Sequence, residues 1–166
     1  MGEIIQQEDS RRVFIDTLIS LAEQDPAIVF IIPDVGFNYA ELFFKKFPTR
    51  SFNFGTTEQS TMIIAAALAL SGLKPYVYSM INFVAFRPFE MVRNAISLHA
   101  ANVKIIGVKG SEKYKFLGFS HNMIFENEDK YILEKYIPCH FPENNEEVRS
   151  TVLETYNNPS AAYIRL

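Results

Sequence analysis

The sequence has few of the residues on which several common classes of protein depend. There is no tryptophan, and the single cysteine, Cys139, has no partner for an internal disulfide, which is typical of a reducing cytoplasm. The three histidines form no H-x-x-x-H pair or Cys/His cluster, so no metal site within the chain is expected. A formal net charge of -3 argues against nucleic-acid binding. No apolar run approaches the ~20 residues that span a membrane, and the polar N-terminus is unlike a signal peptide.

What the chain does contain is a large apolar and aromatic fraction. It is 48% hydrophobic, with 15 Phe and 8 Tyr among 166 residues. That is enough for one domain with a substantial core. Because we find no repeat, linker or low-complexity segment, we interpret residues 1–166 as a single domain.

Six short apolar segments alternate with segments of helical spacing. The apolar segments predicted as strands are "AIVFII", "SFNFGT", "KPYVYSM", "VKIIGV", "YIPCHF" and "AAYIRL". Helices are expected at 58–70, 87–100 and 126–135 among others, whereas 109–122 is expected to be a long polar loop. This alternation predicts an α/β fold, a three-layer sandwich with a mostly parallel, six-stranded sheet covered by helices on both faces. Polar corners at 34–38, 55–59 and 109–122 follow strands, where such folds place their sites.

The corner "GTTEQ" places Glu58 immediately before an apolar helix. Thr56 and Gln59 fit a capping box, with Thr56 as the N-cap. In one interpretation Glu58 only complements the helix dipole, contributing at most about 1 kcal/mol. The following "MIIAAALAL" has no polar face, which predicts a helix buried nearly all round. A partly desolvated carboxylate at such a position is suited to proton exchange with a bound heterocycle.

Aromatic residues and a histidine follow the next two predicted strands. Met80, Phe83 and Phe86 are spaced three apart, and they are either ordinary core residues or a wall on which a flat ring stacks. His121 lies in "GFSHN". A lone histidine is usually structural or solvated, and its place in a Gly- and Ser-containing loop after a strand is what favours a role facing a ligand.

These stretches resemble the pyrimidine-binding domain of transketolase and its relatives, thiamine-diphosphate enzymes that include 1-deoxyxylulose-5-phosphate synthase. The resemblance runs from "IVFIIPDVG" to "AAYIRL" and is most specific in "FNFGTTEQSTMIIAAALALSGLKPYVYSM". The residues that match the family pattern there are Asn53, Gly55, Glu58, Gln59, Gly72 and Pro75. "FVAFRPFEMVRN" is similar to the family's aromatic, Arg-containing helix start, and "GFSHN" is similar to its G-P-T-H-Q loop.

The resemblance implies a role for the residues around Glu58. It implies that Glu58 hydrogen-bonds N1′ of the aminopyrimidine of thiamine diphosphate and favours the imino tautomer, whose nitrogen removes the thiazolium C2 proton. Phe83 and Phe86 correspond to the aromatic pocket that holds the pyrimidine ring. Met80 belongs to the same wall, where the family often has another aromatic residue.

The resemblance also implies residues near the substrate and the subunit interface. Asp34 matches an acidic residue beside the cofactor at that interface, and His121 matches a catalytic histidine near the substrate's hydroxyl and carbonyl groups. Asn38 stands where transketolases have a Ser, and Lys109 where they have a His, both close to the sugar phosphate. Ser120 replaces the usual Thr before the histidine. These departures leave the cofactor role intact and leave open a sugar phosphate or a ketoacid as the substrate.

The family's diphosphate-binding domain is marked by G-D-G, which does not occur in this sequence. We therefore expect a transketolase-like transferase chain in which the diphosphate-binding and C-terminal domains are absent, and which forms a homodimer. It would supply the pyrimidine-binding half of the site for two-carbon ketol transfer and need a partner chain that binds Mg²⁺ and diphosphate. The alternatives are a non-catalytic assembly or regulatory domain, or part of a 1-deoxyxylulose-5-phosphate synthase or 2-oxoacid dehydrogenase.

Overall fold

The computed structural model describes residues 9–35, 38–110 and 112–166. It contains one sheet of parallel strands in the spatial order β2-β1-β3-β4-β6-β5. The strands are β1 Ile28–Ile32, β2 Ser51–Asn53, β3 Lys74–Met80, β4 Lys104–Val108, β5 Cys139–His140 and β6 Ala162–Arg165. The predicted α/β class and six-stranded sheet are confirmed. Residues 1–8, whose polarity argued against a signal peptide, and residues 36, 37 and 111 of the predicted polar corners lie outside the described residues.

Helices connect the strands and cover both faces of the sheet. They are α1 Ser10–Gln24, α2 Ala40–Lys46, α3 Glu58–Leu70, α4 Phe89–Met91, α5 Glu128–Leu133 and α6 Asn145–Asn157. Side chains cap α1 and α6, since Asp9 accepts from Arg11 N and Asn144 accepts from Glu147 N, each over 2.9 Å. Such caps satisfy N–H groups that the helix itself leaves unpaired.

Two apolar cores lie on opposite faces of the sheet. On one face Val77 and Ile105 of the central strands pack in a cluster with Met62 of α3. On the other face Phe30 belongs to a cluster with Phe14 of α1 and with residues of α2 and α6. Burial on both faces explains why the central strands read as continuous apolar runs.

A buried polar network joins β6 to α5. The hydroxyl of Tyr163 donates to Asp129 Oδ2 over 2.6 Å, and Arg165 Nη1 donates to Asp129 Oδ1 over 2.9 Å. Asp129 is fully buried, and burial together with its charge raises the pKa of Tyr163 well above the usual value. Gly107 of β4 makes room for this ring, because a Cβ there would lie 2.8 Å from Tyr163 Cε2.

The helix predicted at 87–100 starts earlier, directly after β3. A π-helical turn at Asn82–Phe86 precedes α4 and a second one, Val92–Ser97, follows it. Pro88 lies between the first turn and α4. Because proline has no N–H and its ring clashes with the carbonyl of the preceding turn, a regular α-helix cannot continue through it. π turns recur at functional sites, and this one carries the aromatic residues singled out above.

The predicted polar loop at 109–122 is more ordered and more apolar than expected. It contains a 3₁₀-helical stretch, Glu112–Ser120, with a kink at Gly118 where φ is 64°. Phe116 and Phe119 within it are 81% and 77% exposed. Large apolar side chains at the surface mark candidate interaction surfaces.

The predicted capping box at the start of α3 is wrong. The N-cap is Thr57 rather than Thr56, and no side chain caps the helix. The hydroxyl of Thr57 donates instead to Phe54 O over 2.8 Å. Gln59 does not reach back to the cap, and its Nε2 lies 3.5 Å from the carbonyl oxygen of Arg87.

The expectation that α3 is buried nearly all round is also wrong. Ile63, Ile64 and Leu70 are 49%, 37% and 60% exposed. The other side of the helix, with Met62 and Ala65, is buried against the sheet. A helix that is apolar on every face gives no periodic signal of which side meets the core.

None of the helices in the described parts of the chain has the length and apolar content to cross a membrane. Those same parts hold no group of three or more His, Cys, Asp or Glu side chains placed to bind a metal ion.

Candidate functional site

The candidate residues lie along one edge of the sheet. Asp34 follows β1, Glu58 begins α3 after β2, Met80 ends β3 and Lys109 follows β4. Because these four strands are parallel neighbours, their carboxyl ends are adjacent. The strand pattern therefore predicted the correct edge for this group of polar and aromatic side chains.

Glu58 is a nearly buried carboxylate in the first turn of α3. The residue is only 7% exposed. Arg87 Nη1 donates to its Oε1 over 2.7 Å, while no residue in the described ranges hydrogen-bonds Oε2. The N-terminus of a helix favours negative charge at this position. Glu58 thus holds one paired and one unpaired acceptor oxygen at the carboxyl edge of the sheet.

Arg87 connects Glu58 to the aromatic residues after β3. Its guanidinium carbon lies 4.1 Å from the centroid of the Phe83 ring while Nη1 binds Glu58. The Arg87 side chain is 46% exposed, so it lies at the surface of the site. We assigned Arg87 no role from the sequence, and its place in an Arg-containing helix start was the only signal.

The predicted aromatic wall is present in part. Met80 and Phe83 are buried, being 5% and 6% exposed, and Phe86 is partly buried. The rings of Phe83 and His121 meet edge-on, with centroids 5.1 Å apart and planes at 80°. Contacts therefore run without interruption from Glu58 through Arg87 and Phe83 to His121.

His121 is held by its own loop and by a residue that sequence reasoning missed. Its Nδ1 lies 2.8 Å from Ser120 Oγ, within hydrogen-bonding distance. The side chain of Asn82, 7% exposed, donates from Nδ2 to the backbone oxygens of Phe119 (2.9 Å) and Asn122 (3.3 Å). These bonds fasten the loop on both sides of His121 to the π turn. A single asparagine in an apolar stretch was the only signal in the sequence.

Asp34 is joined to the Glu58 corner through Asn53. The Asn53 side-chain oxygen accepts from Asp34 N (3.2 Å) and Gly55 N (2.9 Å). Asp34 and Gly55 both have positive φ, 57° and 68°, so the two corners turn sharply beside each other. Asn53 therefore positions the acidic side chain of Asp34 next to the start of α3.

Two of the candidate substrate residues do not take part in these contacts. Asn38 and Lys109 are exposed, and neither side chain hydrogen-bonds a residue of the described ranges. Both lie at the same edge of the sheet as the other candidates, after β1 and β4.

A cleft of about 370 Å³ opens between the first π turn (Asn82–Phe86), the segment 112–122 that carries His121 (the His121 loop) and α5. The side chains that line it include Asn82, Phe86, Arg87, Phe119, Ser120 and Glu128. An open, mostly apolar cleft with a few convergent polar groups is the usual form of a ligand site.

Comparison with known proteins identifies related chains. Residues 6–161 match the family model of the transketolase pyrimidine-binding domain. The sequence is 31% identical over 163 residues to a subunit of the apulose-4-phosphate transketolase of Phocaeicola vulgatus, covering 94% of this chain and 50% of that protein. It is 35% identical over 136 residues to a 1-deoxy-D-xylulose-5-phosphate synthase of Desulfitobacterium hafniense, covering 75% of this chain and 20% of that enzyme.

The fold also matches a solved structure described as a split-gene transketolase, an inactive β4 tetramer. The two share 29% sequence identity with a TM-score of 0.83, over 96% of this chain and 51% of that one. The chain thus spans about half the length of the subunit relatives that it matches.

Proposed function

The chain belongs to the family of transketolase pyrimidine-binding domains, and we propose that it supplies the pyrimidine-binding half of a thiamine-diphosphate site for two-carbon ketol transfer. The observation that carries this proposal is the pairing of a buried carboxylate, Glu58, with an aromatic ring, Phe83, at the carboxyl edge of the sheet. Between them lies a flat cation, the Arg87 guanidinium. A scaffold has no need for a desolvated carboxylate at this position, which argues against a purely structural domain.

The residues present fit the aminopyrimidine of thiamine diphosphate. The Arg87 guanidinium acts as a stand-in, because it is flat, donates an N–H to Glu58 and lies over Phe83. When bound, the cofactor supplies a carbon that carries the two-carbon unit. Glu58 would share a proton with the ring nitrogen N1′, and Phe83, Phe86 and Met80 would contact the ring.

We assign the substrate side of the proposed site to the loop of His121. His121 and Ser120 would hydrogen-bond hydroxyl and carbonyl oxygens of a sugar phosphate or ketoacid, and Asn38 and Lys109 would meet its anionic end. This assignment is supported by the position of all four residues at the carboxyl edge. Asp34, which Asn53 holds beside the Glu58 corner, would lie near the cofactor.

We propose that a second chain binds Mg²⁺ and the diphosphate. The sequence contains no G-D-G, and the relatives include a protein named as a transketolase subunit and one described as a split-gene enzyme. The exposed aromatic side chains of the His121 loop, Phe116 and Phe119, offer apolar surface for that chain. Alone, this chain would be inactive.

We also propose that two copies pair through the exposed side of α3. Ile63, Ile64 and Leu70 are exposed apolar side chains of α3, the helix that Glu58 begins, and small exposed residues such as Ala67 allow close helix approach. Pairing of one surface with itself is the commonest symmetric arrangement.

A second candidate is part of a 1-deoxyxylulose-5-phosphate synthase type of enzyme. It is favoured by the 35% identity to such a synthase. Both candidates use the same cofactor half-site, and they differ in the substrate that donates the carbon unit.

Reconstitution with a partner tests the proposal. A chain that carries G-D-G and has no pyrimidine domain of its own would be coexpressed with this one, and cofactor binding measured by calorimetry with Mg²⁺. We expect tight binding and donor-dependent transfer only in the complex, with ketose phosphate or ketoacid donors separating the two candidates. Tight, Mg²⁺-dependent binding to this chain alone would contradict the two-chain proposal.

A further inference from the structure

We infer that the Arg87 side chain occupies the pyrimidine pocket, between Glu58 and Phe83, in the free chain. It has to leave this position before the cofactor ring binds. The inference rests on the proposed function, because it takes Glu58 and Phe83 as ring contacts. It adds that a side chain of the protein itself competes with the cofactor ring, which the proposed function does not include.

The chemistry of the guanidinium matches that of the ring it would exclude. Both are flat, and both lie well against an aromatic face. The guanidinium presents an N–H to the carboxylate, and the ring does the same when N1′ carries the proton that it shares with Glu58. Arg87 already uses Glu58 Oε1, at 2.7 Å, and the face of Phe83, at 4.1 Å. With Arg87 in this position Phe83 is only 6% exposed, and the ring of His121 also contacts it, with centroids 5.1 Å apart. Little of the Phe83 ring is therefore left for a second flat group.

The structure also allows Arg87 to leave. Its side chain is 46% exposed, whereas that of Glu58 is 9% exposed. The Arg87 backbone is held separately, since its N–H donates to Asn82 O over 3.0 Å. The guanidinium can therefore swing toward solvent while the π turn stays in place.

The ion pair between Arg87 and Glu58 has a physical reason in the chain without ligand. An unpaired carboxylate in a nearly buried position is unfavourable, and Arg87 neutralises Glu58 when no ligand is present. Because one partner is half exposed, the ion pair is weak enough to be displaced. The fraction of chains in which Arg87 is displaced then sets the observed affinity for the ring.

The test is a titration of the full chain with a neutral probe, 4-amino-5-hydroxymethyl-2-methylpyrimidine, followed by NMR. The probe lacks diphosphate and thiazolium, so it reports on the pyrimidine pocket alone. We expect Arg87→Met to bind the probe about two- to fivefold more tightly than the wild type, and Glu58→Ala, which leaves the ring nitrogen without a partner, to bind it more weakly. Arg93→Met is the matched control, because the Arg93 side chain is exposed and, among the described residues, hydrogen-bonds only its neighbour Asn94. It should bind the probe like the wild type.

A second measurement uses the wild-type chain and needs no substitution at Arg87. The side-chain Nε–H signal of Arg87 should move toward that of free arginine as the probe saturates, while that of Arg93 stays in place. If probe binding depends on Glu58 but Arg87→Met weakens it, or the Arg87 signal does not move, Arg87 positions Glu58 and the inference is overturned while the proposed function stands. If the probe binds no variant, or binds Glu58→Ala as well as the wild type, the proposed function and the inference both fail.

Discussion

Asn82 binds the backbone of Phe119, with Nδ2 donating to the carbonyl oxygen over 2.9 Å. One of the two residues begins the π turn after β3, and the other lies in the loop after β4. Asn82 is buried, whereas Phe119 is largely exposed, so a buried donor anchors a surface loop. His121, two residues beyond Phe119, takes its position beside Phe83 from this bond and from the one to Asn122.

We expect Asn82→Leu to loosen this loop without unfolding the chain. Leucine has a similar size but donates no hydrogen bond, and the freed carbonyls can bind water, so the loss of stability should be about 1 kcal/mol. Hydrogen exchange of the amides at 119–122 should become faster. In the reconstituted complex the substrate KM should rise while cofactor binding is unchanged. Asn157→Leu, on the exposed side of α6, is the control. Unaltered exchange in Asn82→Leu would show that Asn82 does not hold this loop in place.

Glu58→Gln should suppress cofactor activation in the reconstituted complex. Glutamine keeps the size but cannot exchange a proton, and loss of one positioned acid–base group costs roughly 10²–10⁴ in rate. Glu58→Ala leaves the ring nitrogen unpaired as well, at about 1–3 kcal/mol. The measurement is hydrogen–deuterium exchange at C2 of the bound cofactor.

Two further variants sharpen that experiment. His121→Ala should keep the exchange and lose turnover, while Glu90→Gln, an exposed glutamate of α4, should change neither. If Glu58→Gln exchanges as fast as the parent, Glu58 is only a helix-dipole partner.

Ile63→Lys should shift the chain toward monomer. Ile63 is 49% exposed on α3, and a lysine in a self-complementary interface would face apolar groups of the other copy. Sedimentation velocity over a range of concentrations measures the change. Leu98→Lys is the control, because Leu98 is 75% exposed but lies outside α3. An unchanged sedimentation coefficient for Ile63→Lys would show that α3 is not the interface.

Gly107→Ala should destabilise the fold by about 1–3 kcal/mol, as overpacking in a core does. The new Cβ would lie 2.8 Å from Tyr163 Cε2 and 2.9 Å from Cζ. The ring has little freedom to move, since its hydroxyl binds Asp129 over 2.6 Å. Urea unfolding measures the cost. In a Tyr163→Leu background the cost should fall, and equal costs in both backgrounds would show that the two residues are not coupled.

Cys139 should react slowly with thiol reagents in the folded chain. Burial, followed by the charges of Asp129 and Glu134, raises the pKa of its thiol to about 12 from 9.0. Because the folded state holds this proton more tightly, the thiol contributes stability that is present below pH 9 and lost as the pH rises toward 12. At pH 8 a disulfide reagent should label the native chain on the order of a hundredfold more slowly than the urea-unfolded chain. Similar rates would mean that the thiol is exposed.

The order of helices and strands follows from local sequence. An apolar run such as "IVFII" extends over only a few residues and is enough to identify its element as a strand. The parallel sheet then follows from the alternation, and with it the edge at which Glu58, Phe83 and His121 lie. The family resemblance could be recognised for the same reason, because its most specific residues lie within one stretch of the chain, residues 52–80.

Contacts between segments depended on the tertiary structure. Arg87 binds Glu58 and Asn82 binds the His121 loop only because different strands end at the same place, and no spacing along the chain encodes either pair. The same holds for α3, whose cap is Thr57 and whose apolar residues divide between core and surface. Local pattern specifies which element forms, whereas the side chains that meet across elements are selected by packing, which brings distant residues within a few ångströms.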